Sequence, residues 1–126
     1  MKTNDHCNLE ALPMCPVYTT LEAIGGRWKP LIVWFLLDRT KRFSELQRDI
    51  PDATQKMLTQ QLREMERAGL VHRKVYAEIP PRVEYNLTPA GKSLRSVLME
   101  MSAWGKMQER NPARRVVLMT GKKRVS

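Results

Sequence analysis

At 126 residues the chain has room for one domain with a core of its own and short flanking arms. Its 42% hydrophobic and 28% charged content excludes fibrous and disordered classes, and the longest apolar run, LIVWFLL over 31–37, is too short to span a bilayer. Lys and Arg number 22 against 13 Asp and Glu, a formal charge of +9 that points to a polyanionic partner, because each neutralised phosphate releases condensed counterions.

The opening MKTNDHCNLEALPM has no apolar signal core, so a cytoplasmic protein with no membrane partner is expected, its residues 1–14 forming an irregular arm. Cys7 and Cys15 are too few for a disulfide framework, and the pair suits either reduced thiols or a redox switch. Pro16 fits the first turn of a helix that runs through VYTTLEAI and stops at Gly25-Gly26. Pro30 fits the first turn of a second helix, PLIVWFLLD, apolar nearly all round and therefore buried. RTKRF then crosses to a third helix, expected to start at Ser44 with Gln47 completing a capping box, and with Leu46 and Ile50 facing inward. Pro51 bars its continuation.

After PDA, Thr54 is placed to cap a fourth helix that ends at Gly69 in a left-handed position. LVHRKVY and RVEYNL alternate and are rich in β-branched and aromatic residues, so they read as a hairpin with a proline-stiffened AEIPP tip. Thr88-Pro89 opens a final long helix with Leu94, Val97, Leu98, Met101 and Trp104 on one stripe. That stripe suits either a dimer interface or packing on the chain's own core. Residues 108–126 form a basic tail, with Arg110, Arg114, Arg115, Lys122, Lys123 and Arg124 against Glu109. It can serve as a DNA-clamping arm or as a solubilising end.

Two helices joined by a three-residue turn and followed by a hairpin make a winged helix-turn-helix, mainly α with a small β-hairpin (α+β). In that architecture the fourth helix enters the major groove, and its residues Thr54, Gln55, Lys56, Thr59, Gln60 and Arg63 have the amide, hydroxyl and cationic groups that base edges and phosphates take. The same row is also what a solvated amphipathic face looks like. On the hairpin, Arg73, Lys74 and Arg82 are candidates for DNA contact, with Arg82 beside the tip either placed to enter the minor groove or simply exposed on an ordinary hairpin. Lys41, Arg42 and Arg48 are candidates for phosphates, which position without reading sequence.

CPVYTTLEAIGGRWKPLIVWFLL, RFSELQRDIP, QKMLTQQLREMERAGLVHRKVY, PPRVEYNLTPAGKSL and MSAWG, in that order over roughly 15–107, resemble the HxlR-type winged-helix transcriptional regulators, relatives of the MarR-like repressors. The resemblance implies a homodimer on an inverted-repeat double-stranded DNA operator, held together by the N-terminal segment and the long C-terminal helix. One departure is the turn PDAT where the family usually has PGIS. Cys15 aligns with a cysteine that some members use to sense quinones, aldehydes or oxidants. It also stands at a helix N-cap, where the positive helix end favours a thiolate. A sensor Cys15 with Cys7 as its resolving partner is one reading, and a small buried hydrophobe beside an idle thiol is the other.

The expectation is therefore a sequence-specific DNA-binding regulator, of repressor type, with an unidentified oxidant or small-molecule effector. A winged-helix protein-interaction module is the alternative. No cofactor or metal is expected, since His6, Cys7 and Cys15 are too sparse for zinc. No enzyme is expected either, because Gly25-Gly26 is a helix stop and not a phosphate loop, and no nucleophile–base pair stands out.

Overall fold

Pro16 and Pro30 each stand in the first turn of a helix, as their missing N–H and fixed φ allow: α1 over Pro16–Ile24 and α2 over Lys29–Asp38. The computed structural model describes residues 15–110, so the arm 1–14, with Cys7, and the chain from Asn111 onward lie outside the described residues. The order continues with β1 (Lys41–Arg42), α3 (Phe43–Asp49), α4 (Gln55–Arg67), β2 (Val71–Tyr76), β3 (Arg82–Leu87), α5 (Pro89–Lys92) and α6 (Arg95–Arg110). The three strands form one antiparallel sheet in the order β1-β3-β2.

The core lies between α2, α3, α4 and the sheet. Ile32, Val33 and Leu36 of α2 meet Leu46 of α3, Ile50 at its C-terminal end, and Leu58, Leu62 and Met65 from α4. The last three recur at helical spacing and are each 1% exposed or less, which fixes the rotation of α4 about its axis. Both ends of α4 are closed as the sequence suggests. Thr54 Oγ1 accepts from the Met57 N–H, and Gly69 takes φ +78°, so that the Leu70 N–H turns back to the Met65 carbonyl. The PDAT turn needs no such residue: among the described residues only glycines have positive φ, so Asp52 stands in ordinary backbone.

Three local expectations are corrected. RTKRF contains a strand, because Lys41 and Arg42 pair with Tyr85 and Glu84 of β3. Helix α3 starts one residue before Ser44, and its capping acid is Glu45, whose Oε1 accepts the Arg42 N–H at 2.8 Å. Gln47 instead donates Nε2 to the Ala53 carbonyl and braces the turn into α4. The final helix is in two pieces. Thr88 caps α5 through the Gly91 N–H, and its hydroxyl also donates to the Gly69 carbonyl. Gly91 lies so close to the backbone just before β2 that a Cβ there would sit 2.2 Å from the Leu70 carbonyl oxygen. That docking sets the direction of α5, and the chain turns through Ser93 and Leu94 before α6 begins.

Candidate nucleic-acid interface

With Leu58, Leu62 and Met65 inward, the opposite side of α4 must face out. Thr54, Gln55, Lys56, Thr59, Gln60 and Arg63 together line one open concavity of about 800 Å³, joined by Glu64 and Arg67. All six expected residues are thus on one surface, about 20 Å long by helical rise. Arg67 was not expected. It stands four residues beyond Arg63, and the i, i+4 spacing alone could have found it.

Among the described residues Glu64 is the only acid lining this concavity, and it does not stand unopposed. Its Oε1 lies 2.8 Å from Lys29 Nζ at the start of α2. Its Oε2 accepts from Gln60 Nε2 at 3.4 Å. The Lys29 ammonium, and after it the Gln60 amide, hold the Glu64 carboxyl below the usual carboxylate range. The concavity therefore keeps its positive balance from Lys56, Arg63 and Arg67.

The hairpin divides its cations by strand register. Lys74 pairs with Glu84 and Tyr76 with Arg82, so these four side chains share one face, while Arg73 opposite Tyr85 is on the other. Arg73 lines a cleft against α4 with Thr59, Arg63, Glu66 and Tyr85. It is the hairpin cation that extends the α4 surface. Arg82, expected to reach from the tip into the minor groove, is instead held back. Its guanidinium lies 3.9 Å from the centre of the Tyr76 ring, 3.1 Å from Glu78 Oε2 and 3.7 Å from Glu84 Oε2. Lys74 Nζ also lies over Tyr76, at 4.9 Å. The tip presents Ile79, which is fully exposed, in place of an arginine.

Lys41 must be withdrawn from the phosphate-facing set. It is 6% exposed, bonded to Asp49 and laid over the Phe35 ring at 5.2 Å. Arg42 and Arg48 are exposed. The α6 stripe is also divided. Leu98 is buried and Leu94 packs against the chain's own core, whereas Val97, Met101 and Trp104 are 36%, 48% and 62% exposed. On α1, Val17 and Leu21 are likewise outward, at 62% and 60%. Cys15 immediately before α1 is 2% exposed and disulfide-bonded. Among the described residues, no cluster of His, Cys, Asp or Glu could hold a metal, and no helix is long and apolar enough to cross a membrane.

A capped helix seated by its apolar side, a turn from the preceding helix and a β-hairpin beside it define a winged helix-turn-helix protein. The model of the HxlR-like helix-turn-helix family matches residues 23–112, and the chain belongs to that family of DNA-binding transcriptional regulators. It is 52% identical to YdeP of Bacillus subtilis (strain 168), an uncharacterized HTH-type transcriptional regulator, over 72% of this chain and 71% of that protein. Among solved structures, the redox regulator HypR in its oxidized form superposes with a TM-score of 0.71 at 48% identity, covering 74% of this chain and 96% of HypR. The reduced form of the transcriptional regulator YodB from B. subtilis gives 0.65 at 39% identity, covering 79% and 97%. YodB is also known in diamide-treated and quinone-bound forms.

Proposed function

We propose that this regulator is a cytoplasmic homodimeric repressor that binds an inverted-repeat operator, with domain limits at 15–107 and a thiol-responsive Cys15. The observation that carries the DNA reading is the single outward surface of α4. It gathers amides, hydroxyls and cations on a face of α4 that the other described elements leave open. Arg42, Arg48 and Arg73 supply phosphate contacts that set register.

The dimer reading rests on Val17 and Leu21 of α1 and on Val97, Met101 and Trp104 of α6, large apolar groups left in water. Two α4 helices read successive major-groove faces when a two-fold axis holds them about 34 Å apart, one turn of duplex. The redox reading rests on position. Cys15 is the N-cap of α1, the helix whose Val17 and Leu21 join the dimer face, so a change of bonding at Cys15 acts at the root of that interface. HypR and YodB, with their oxidised and diamide-treated forms, favour this reading by likeness.

Selection of bound duplexes from a random pool, with reduced and with oxidised protein at near-physiological salt, tests all three parts. The expected result is an inverted repeat with half-sites near one helical turn apart, and a different affinity for it in the two redox states. Equal affinity of the two forms removes the sensor. Binding without an enriched motif leaves charge without readout, and no binding at all favours the protein-interaction module.

A further inference from the structure

Gln60, on the outward side of α4, has a side-chain partner on the same helix, Glu64. A free glutamine amide is close to symmetric for recognition: a half-turn about its last torsion exchanges the C=O acceptor for the NH2 donor, so either end can meet a base. A carboxylate removes that symmetry because it only accepts. Glu64 Oε2 therefore takes the Gln60 NH2 end, at 3.4 Å, and the amide oxygen points away from Glu64. Lys29 Nζ, 2.8 Å from the other carboxylate oxygen and only 17% exposed, keeps Glu64 from swinging clear. The three side chains form a relay from α2, through α4, to the concavity.

We propose that Glu64, clamped by Lys29, is a specificity-positioning residue: it orients Gln60 so that a carbonyl oxygen is offered to the base edge, selecting a base pair that presents an exocyclic amine there, adenine N6 or cytosine N4. Guanine O6 and thymine O4 are acceptors at the corresponding groove positions and face that oxygen unfavourably. The inference rests on the DNA-binding reading above. It also explains an acid on a surface otherwise suited to phosphates: the carboxylate acts on a neighbouring side chain and not on DNA.

The test is the same duplex selection run with wild type, Gln60→Ala, Glu64→Gln and Lys29→Met, each checked for its urea midpoint. Gln60→Ala marks the base pair that Gln60 meets by flattening preference at one position of each half-site. At that position the wild type is expected to favour A·T and C·G alike over T·A and G·C, the amine-bearing base lying on one strand, by roughly fivefold, the worth of one hydrogen bond. Glu64→Gln keeps the side-chain shape but can donate as well as accept, and it is expected to bring that ratio close to one while other positions keep theirs. Lys29→Met relaxes the same position in part.

A Glu64→Gln protein that loses stability but keeps the full preference makes the Lys29–Glu64 pair purely structural and overturns the proposal. A marked position that separates A·T from C·G, in place of favouring both of them over T·A and G·C, overturns it too, as does a Gln60→Ala protein whose motif is unchanged. A wild type that enriches no motif refutes the DNA reading itself, a separate result visible before any variant is compared.

Discussion

Replacing Asp49 by Ala should cost this protein far more than replacing Lys41 by Met, although the two side chains form one ion pair. Lys41 has 7% of its side chain exposed and Asp49 has 26%, so the partners are not equally able to return to water. Asp49→Ala strands an ammonium beneath the β1–β3 ladder, against the Phe35 ring. Breaking a buried pair in this way costs about 3 kcal/mol, the lower end of the usual range because the site is open on the Asp49 side. Lys41→Met keeps the stem, the strand pairing and the ring contact, and leaves a carboxylate that can hydrate, at about 1 kcal/mol or less. At fixed protein concentration the melting temperature should fall by roughly 12 °C or more in the first variant and by about 5 °C or less in the second. Operator binding supplies the second readout. Lys41→Met should leave the slope of log K against log salt unchanged, whereas Arg42→Ala or Arg48→Ala should reduce it by roughly 0.9 for each phosphate lost. Equal destabilisation by the two variants, or a shallower slope in Lys41→Met, would refute the reasoning.

Thr54→Ala removes the acceptor for the Met57 N–H and should lower stability by about 1 kcal/mol in urea titration, while Thr54→Ser retains the cap and loses little. Gly91→Ala puts a methyl group 2.2 Å from the Leu70 carbonyl oxygen and 3.0 Å from Leu87 Cδ2, which backbone can relieve only by moving α5 off the sheet. A loss of about 2 kcal/mol is expected, read as a lower urea midpoint. Glu45 accepts the Arg42 N–H and is bonded by Arg39, and these partners hold its carboxyl below its ordinary value. Because the folded pKa is depressed, the stabilisation is present above the unfolded value of about 4.3 and is lost as pH falls through the folded one. The stability difference between wild type and Glu45→Leu should therefore shrink between about pH 5 and pH 3; a constant difference over that range would show that the carboxylate bonds contribute nothing.

Much of the fold could be read from residues whose effect is local. Pro16, Pro30, Thr54, Gly69 and Thr88 act within a turn of their own position, and each stands where its chemistry requires. The outward row on α4 was equally legible, since burying Leu58, Leu62 and Met65 leaves no freedom for the other side. What stayed hidden depends on distant partners. Lys41-Arg42 is a strand only because β3 lies alongside. The same approach buries Lys41 against Asp49 and Phe35, and a lysine beside an arginine gives no local sign of that. Arg82 reads as a tip cation until cross-strand pairing lays it on Tyr76. The break before α6 follows from the contact of Gly91 with Leu70, and Ser93-Leu94 carries no helix-stopping residue to announce it. Lys29 gives no local sign of its role for the same reason: its partner Glu64 is 35 positions away in the chain.

The way α4 is held has a consequence for descent with modification. Gln55, Lys56, Thr59, Arg63 and Arg67 line the concavity, while the helix is anchored by Leu58, Leu62 and Met65 on its other side. Surface substitutions of this kind usually change stability by no more than about half a kcal/mol. A duplicated copy of such a chain can therefore exchange its outward letters one at a time and drift toward a new operator while its folding is untouched. Gln60 is the exception, because its partner Glu64 is tied to Lys29, and a change there has to be answered on a second helix.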